Sequence, residues 1–158
     1  MKPPADLREC ANCACFASRR AARSITQHYD RHLRPTGLRA TQFTLLTVLA
    51  LGGPLPLTRA ADRLGMERTT LTRNLRPLLA MGLVTSESSG DRRVRMLAIT
   101  RRGLSATRSA LPRWREAQAS ISRRLGPSML GALTLAADAA ARAPLSGALR
   151  SPRGRKED

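Results

Sequence analysis

"MERTTLTRNL", residues 66–75, places three threonines, two arginines and an asparagine within ten positions. Two readings fit such a run. One is an ordinary solvated helix face; the other is a surface made to lie against something anionic and rich in hydrogen-bond acceptors. Advancing 100° per residue puts Leu71, Leu75 and Leu78 on one face and Thr69, Thr72, Arg73 and Arg76 on the opposite one. The leucines predict anchoring to a core. The other face presents methyls, hydroxyls and guanidinium forks. Threonine methyls suit thymine methyls, and the Arg73 fork suits guanine O6 and N7. Thr70 and Asn74 join the same polar set, and Arg68 lies near the positively poled helix start, where phosphates bind.

The flanks decide what holds this helix. It is expected to run from Glu67 to about Met81, with Gly82 ending it and Pro77 causing a bend or an early stop. Upstream, "LPLTRAADRLGM" predicts a helix with Thr58 as N-cap and Leu64-Gly65 as its end. Ala60 and Ala61 are small enough to let two helices cross closely. The pair reads as a helix-turn-helix. Downstream the period changes: "LVTSES" and "RVRMLAIT" alternate, with turn residues "SSGDRR" between them, which predicts a β-hairpin wing. Arg92 and Arg93 sit at or just past its tip, suited to a narrow minor groove, with Arg95 following. Asp91 is expected to pair with a neighbouring arginine and shape the loop.

Further out, Asp6 and Glu9 have the spacing of a capping box, and Asn12 is a second candidate cap. Ala17, Ala21, Ile25, Tyr29 and Leu33 keep helical spacing as far as "RPTG". Thr41 is the expected cap of the apolar helix "QFTLLTVLAL", which Gly52, Gly53 and Pro54 end. Thr100 caps a long helix from Arg101, in which Leu104, Leu111, Trp114, Ile121 and Leu125 follow a heptad-like dimerisation spacing. Pro112 should kink it, and Gly126-Pro127 starts a last Ala-rich helix to about Ala143. The fold class is mainly α: a winged helix-turn-helix with a helical dimerisation domain built from N- and C-terminal helices. The expected divisions are 1–38 for the N-terminal helix, 39–100 for the winged helix-turn-helix, 101–145 for the C-terminal dimerisation helices and 146–158 for a disordered tail.

Composition narrows the partner. The 158 residues suffice for one domain with a real core. There are 28 Lys+Arg against 11 Asp+Glu, a net charge of +17. All but Lys2 and Lys156 of those cations are arginines, whose forks match phosphate and guanine in a bidentate way. A polyanion is the default partner. Aromatics are only 3 % of the chain, which argues against single-strand binding by base stacking. No stretch of 18 apolar residues occurs and "MKPPADLREC" lacks an apolar signal-peptide region, so the expectation is a cytoplasmic protein with no membrane partner. No Ser/His/Asp grouping or phosphate loop is visible, so an enzyme is not expected.

Cys10, Cys13 and Cys15 leave three readings open: a thiolate site for a soft metal or metalloid, a redox switch within the chain or across a dimer, or small buried residues where the first helix packs on a dimer partner. In a helix, Cys13 and Cys15 lie 200° apart and cannot share one ion within a chain, whereas Cys10 and Cys13 lie 60° apart. No cofactor is expected with certainty. His28 and His32 share a helix face at i,i+4 spacing, but Tyr29 stands where a zinc-protease glutamate would, so they are expected to face solvent or a dimer boundary.

The run "LTRAADRLGMERTTLTRNLRPLLAMGLVTSESSGDRRVRMLAITRRG" resembles the MarR family of bacterial transcription regulators. Its specific signal is Asp91-x-Arg93 followed by Leu97-x-x-Thr100-x-x-Gly103. "RRAARSITQHYDRHLRPTGLRATQFTLL" resembles that family's first two helices and "ALPRWREAQ" its dimerisation helix. The resemblance covers roughly residues 13 to 142. It implies a winged-helix homodimer on pseudo-palindromic double-stranded DNA, with an effector pocket between DNA-binding and dimer domains. The expected function is a sequence-specific DNA-binding transcription regulator, with repression the expected sense, responsive to a small molecule, thiol oxidant or metal. The rival is a non-specific architectural nucleic-acid-binding protein, whose affinity would follow salt and ignore sequence.

Overall fold

Leu71, Leu75 and Leu78 are almost wholly removed from solvent, each contributing about 1.5–3 kcal/mol by burial, and they pin the polar helix to the body of the protein. The structure, a computed structural model, describes residues 7, 10, 13–88 and 94–142. In chain order it holds α1 (Ala14–Leu33), a 3-10 turn (Arg34–Thr36), α2 (Ala40–Gly52), β1 (Leu55–Pro56), α3 (Leu57–Leu64), α4 (Arg68–Ala80), β2 (Val84–Ser88), β3 (Arg95–Ile99) and α5 (Arg101–Arg142). It is mainly helical with one small sheet. Gly126, at φ 73° and ψ 162°, breaks α5 into the stretches 101–125 and 127–142.

Several expected boundaries shift for identifiable reasons. Thr41 does not cap α2. The helix starts at Ala40 with Arg39 as its N-cap: Ala40 N donates to Asp30 Oδ1 of α1 at 2.7 Å, and Arg39 N donates to Gln42 Oε1 of α2 itself at 2.9 Å. Nor does Thr58 cap α3. Pro56 occupies that position, because Leu55 and Pro56 form a short edge strand against Leu97 and Met96. The sheet therefore has three strands, in the order β1-β3-β2, with the hairpin register running from Val84↔Ile99 to Ser88↔Arg95. Pro77 neither ends nor shortens α4. Pro112 likewise sits within helical backbone, since Gly126 is the non-helical residue of α5. Both prolines are exposed, so neither ring takes space from the core. Asp6, Glu9 and Asn12 fall outside the described residues, as do the wing-tip residues Asp91, Arg92 and Arg93.

The core gathers Leu33, Phe43, Leu45, Leu46 and Leu49 with the three α4 leucines, Leu83, Val84 and Leu97. Trp114 and Leu111 of α5 pack against it, Trp114 stacking on Phe43 at a 6.2 Å centroid distance. The described chain divides after Arg124 into two units. In the second, Met129, Leu133 and Leu135 are exposed apolar side chains.

One joint closes the winged helix. The Thr100 hydroxyl donates to Gly82 O at 2.8 Å and accepts from Gly103 N at 2.9 Å, while Thr100 N donates to Leu83 O at 3.0 Å. Thr100 thus caps α5, as its position predicts, and binds the end of the α4 turn. Gly103 is required there. A Cβ at this position would lie 2.1 Å from Leu83 O and 2.8 Å from Ile99 Cγ1. Gly103→Ala gains helix propensity of up to about 1 kcal/mol, but the clash is with the Leu83 backbone, which is held by hydrogen bonds to Leu78 O and from Thr100 N. The expected net loss is about 1–3 kcal/mol, read as a lower urea midpoint with an unchanged slope. A neutral result would mean that the joint can open without cost.

Candidate nucleic-acid interface

The polar residues of α4 divide into two rows once the leucines are buried. Thr69 and Arg73 lie opposite Leu71 and are exposed. Arg68, Thr72 and Arg76, also exposed, lie on the flank toward the hairpin, where they line a cleft of about 540 Å³. Its other described walls include Thr58 and Leu57 of α3, and Ser86, Val94 and Arg95 of the wing. Of the residues that the sequence singles out, the cleft therefore collects Thr58, Arg68, Thr72, Arg76 and Arg95. Thr69 and Arg73 stand outside it.

Two polar side chains of the stretch bond back to the backbone of their own helix. Thr72 Oγ1 donates to Arg68 O at 2.8 Å, and Asn74 Nδ2 donates to Thr70 O at 3.0 Å. Asn74 and Thr70 are half-buried, so they secure the helix backbone more than they present it. Arg92 and Arg93 cannot be placed, since they lie outside the described residues. Sequence reading missed Ser86 and the apolar cleft floor of Leu57, Leu79 and Val94. The signal for Ser86 was the strand alternation around it, which identifies a face but not what that face meets.

α1 is tied down by three consecutive residues. The ring Nε2 of His28 is 3.2 Å from Ala117 O, the Tyr29 hydroxyl donates to Gln118 Oε1, and Asp30 holds the start of α2. His28 is buried, which corrects the expectation that it faces solvent or a dimer boundary: a partner carbonyl on α5 satisfies the ring and makes burial tolerable. His32 is half-buried, with Nδ1 3.0 Å from His28 O. Burial raises the Tyr29 pKa, so its hydroxyl stays a donor. Cys10, Cys13 and Cys15 are exposed, with Cys13 just before α1 and Cys15 in its first turn. Among the described residues no group of three His, Cys, Asp or Glu is placed to hold a metal ion. The dimerisation stripe is largely used within the chain: Ile121 is buried, and Leu111 and Trp114 pack on the core, while Leu104 and Leu125 keep partial exposure. Among the described residues no helix is long and apolar enough to cross a membrane.

A groove of about 510 Å³ lies between α2 and α5, lined mainly by apolar atoms of Phe43, Val48, Leu51, Leu111 and Trp114, with Arg108 also on its wall.

The sequence model of the MarR family matches residues 36–94, from the turn before α2 to the residue before β3. The transcriptional regulator MosR of M. tuberculosis, solved in complex with DNA, is 40% identical, and the match covers 82% of this chain and 98% of that one with a TM-score of 0.70. The chain belongs to the MarR family. Members of that family are DNA-binding transcription regulators. The HTH-type transcriptional regulator MhqR of Bacillus subtilis is 31% identical over 94 residues, 59% of this chain and 65% of that relative. That alignment spans just under two thirds of the relative's length. A mutant of MarR from E. coli, complexed with operator DNA, shares the fold at 15% identity, with a TM-score of 0.71 over 85% of this chain and 96% of that one.

Proposed function

We propose that this MarR-family protein is a sequence-specific regulator that binds double-stranded DNA as a homodimer and represses by occupying its operator. The observation that carries this reading is the outer row of α4. Thr69 and Arg73 are exposed, backed by three buried leucines, and set on a helix that a major groove admits. A non-specific binder needs charge on its surface but no such ordered row of methyl and fork. The exposed Phe16, Met129, Leu133 and Leu135 supply apolar surface for a second copy. A two-fold partner would set the recognition helices about one DNA turn apart, roughly 34 Å. Occupying DNA is sufficient for repression and needs no further surface.

The signal is proposed to reach the exposed thiols. A peroxide converts one cysteine thiol to a sulfenic acid with loss of water, and a second thiol condenses with it to a disulfide with loss of another water. Because Cys13 and Cys15 sit at the start of α1, a new bond there alters the seat of that helix. A second reading, a small-molecule effector, is favoured by the apolar α2–α5 groove.

Two measurements test this. With operator chosen by selection from a random duplex pool, Arg73→Ala should cost about 1–3 kcal/mol on operator and relax base preference. Equal loss on operator and random duplex would make Arg73 a phosphate contact. Mild peroxide should lower operator affinity of the wild-type protein at least tenfold, reversibly by dithiothreitol, with little effect on a Cys10/Cys13/Cys15→Ser triple variant. Equal responses would reject thiol sensing and leave the groove as the effector site. Sedimentation at micromolar concentration should give a dimer; a monomer would reject the assembly.

A further inference from the structure

The cleft between α4 and the wing has a different character from the outer row. Arg68 and Arg76 enter it from one wall and Arg95 from the other, and no acidic residue is among its described lining. Thr58 and Ser86 add hydroxyls, and Leu57, Leu75, Leu79 and Val94 make its floor apolar. An apolar floor keeps the local dielectric low, so three guanidinium groups attract an anion more strongly there than on an open surface.

The size of the helix shows which anion. An α-helix with its side chains is about 10–12 Å across, and the major groove is about 12 Å wide. A helix that enters the groove therefore fills it. Its outermost row meets base edges on the floor, and its flanks meet the walls, which are sugar and phosphate. Arg68, Thr72 and Arg76 form a flank. The Thr72 hydroxyl proton is committed to Arg68 O, which leaves the two arginines of this row as the donors on the α4 wall.

We propose that this cleft seats a backbone phosphate of the bound DNA, held by Arg68 and Arg76 from α4 and Arg95 from the wing, and that base reading is left to Thr69 and Arg73. The assignment rests on the DNA-binding reading above and divides its residues by role. The cleft sets register and affinity, and the outer row sets sequence preference.

The test compares Arg76→Ala, Arg95→Ala and Arg73→Ala on selected operator and on random duplex across a salt series. All three side chains are exposed, and thermal unfolding checks that each variant folds. Arg76→Ala and Arg95→Ala should each weaken both duplexes by the same factor and reduce the slope of log K against log salt by about 1.8 per dimer, one phosphate contact being lost from each protomer. Arg76→Lys should restore the slope, which a merely structural role would not require. Operators carrying one neutral methylphosphonate at successive positions should reveal a position that weakens wild type but does not further weaken Arg76→Ala. A fall in operator preference for Arg76→Ala as large as that for Arg73→Ala would overturn the proposal, as would an unchanged salt slope. Wild-type protein with no sequence preference would sink the regulator reading, and the salt slopes of the variants on random duplex would still decide the phosphate seat.

Discussion

The winged helix depends on the meeting of α5 with the turn after α4. Thr100 satisfies Gly82 O and Leu83 O while capping Gly103 N, and Gly103 lets the α5 backbone approach Leu83 O where a methyl would lie at 2.1 Å. The spacing Thr100-x-x-Gly103 is thus a geometric requirement. The threonine must be one turn before the glycine for a single hydroxyl to serve both helices. Because Leu83 also leads into β2, the same joint fixes the angle of the wing relative to α4. The cleft lined by Arg68, Arg76 and Arg95 is a consequence of that angle.

Charge then determines what the cleft and the outer row serve. The chain carries +17, and the ion pair seen among the described residues, Arg113 with Glu116, lies exposed on α5. A pair of that kind contributes little to stability. The arginines of α4 are therefore not explained by folding, which the buried leucines accomplish. Their cost, a dense positive field with few compensating carboxylates, is recovered when a polyanion releases its counterions.

The elements around the joint of Thr100 and Gly103 differ in how far local sequence discloses them. The α4 helix, its leucine face, the helix-turn-helix and the hairpin were legible because each rests on local periodicity or a turn residue in its own segment. The Thr100 cap was legible for the same reason. The caps of α2 and α3 were not, because the relevant partners are tertiary: Asp30 arrives from α1, and Pro56 is held by pairing with Met96. β1 was hidden by its length of two residues, one of them a proline. His28 looked like a surface residue since its burial depends on Ala117, 89 positions away. For the proposed interface, the residue types on α4 were readable, but their division into a cleft row and an outer row was not. That division needs the wing as the opposite wall.

The same long-range ties define what any signal must do. His28, Tyr29 and Asp30 join α1 to α5 and to the start of α2 within three residues. α2 packs in turn against α3 and α4, and Thr100 joins α5 to the end of α4. An effector acting at the cysteines around the start of α1, or in the α2–α5 groove, therefore acts on elements that also position the recognition helix. Contact alone is insufficient, since a ligand that binds two arrangements equally shifts neither. Coupling of a typical 1–3 kcal/mol requires that one arrangement of α1 be preferred by the effector and the other by DNA. The buried His28 contact and the Asp30 cap are of comparable size, about 0.5–2 kcal/mol each. Loosening one of these ties is thus enough to change affinity about two- to thirtyfold without unfolding the winged helix. That makes the 28–30 segment the place where the proposed sensing and reading functions meet.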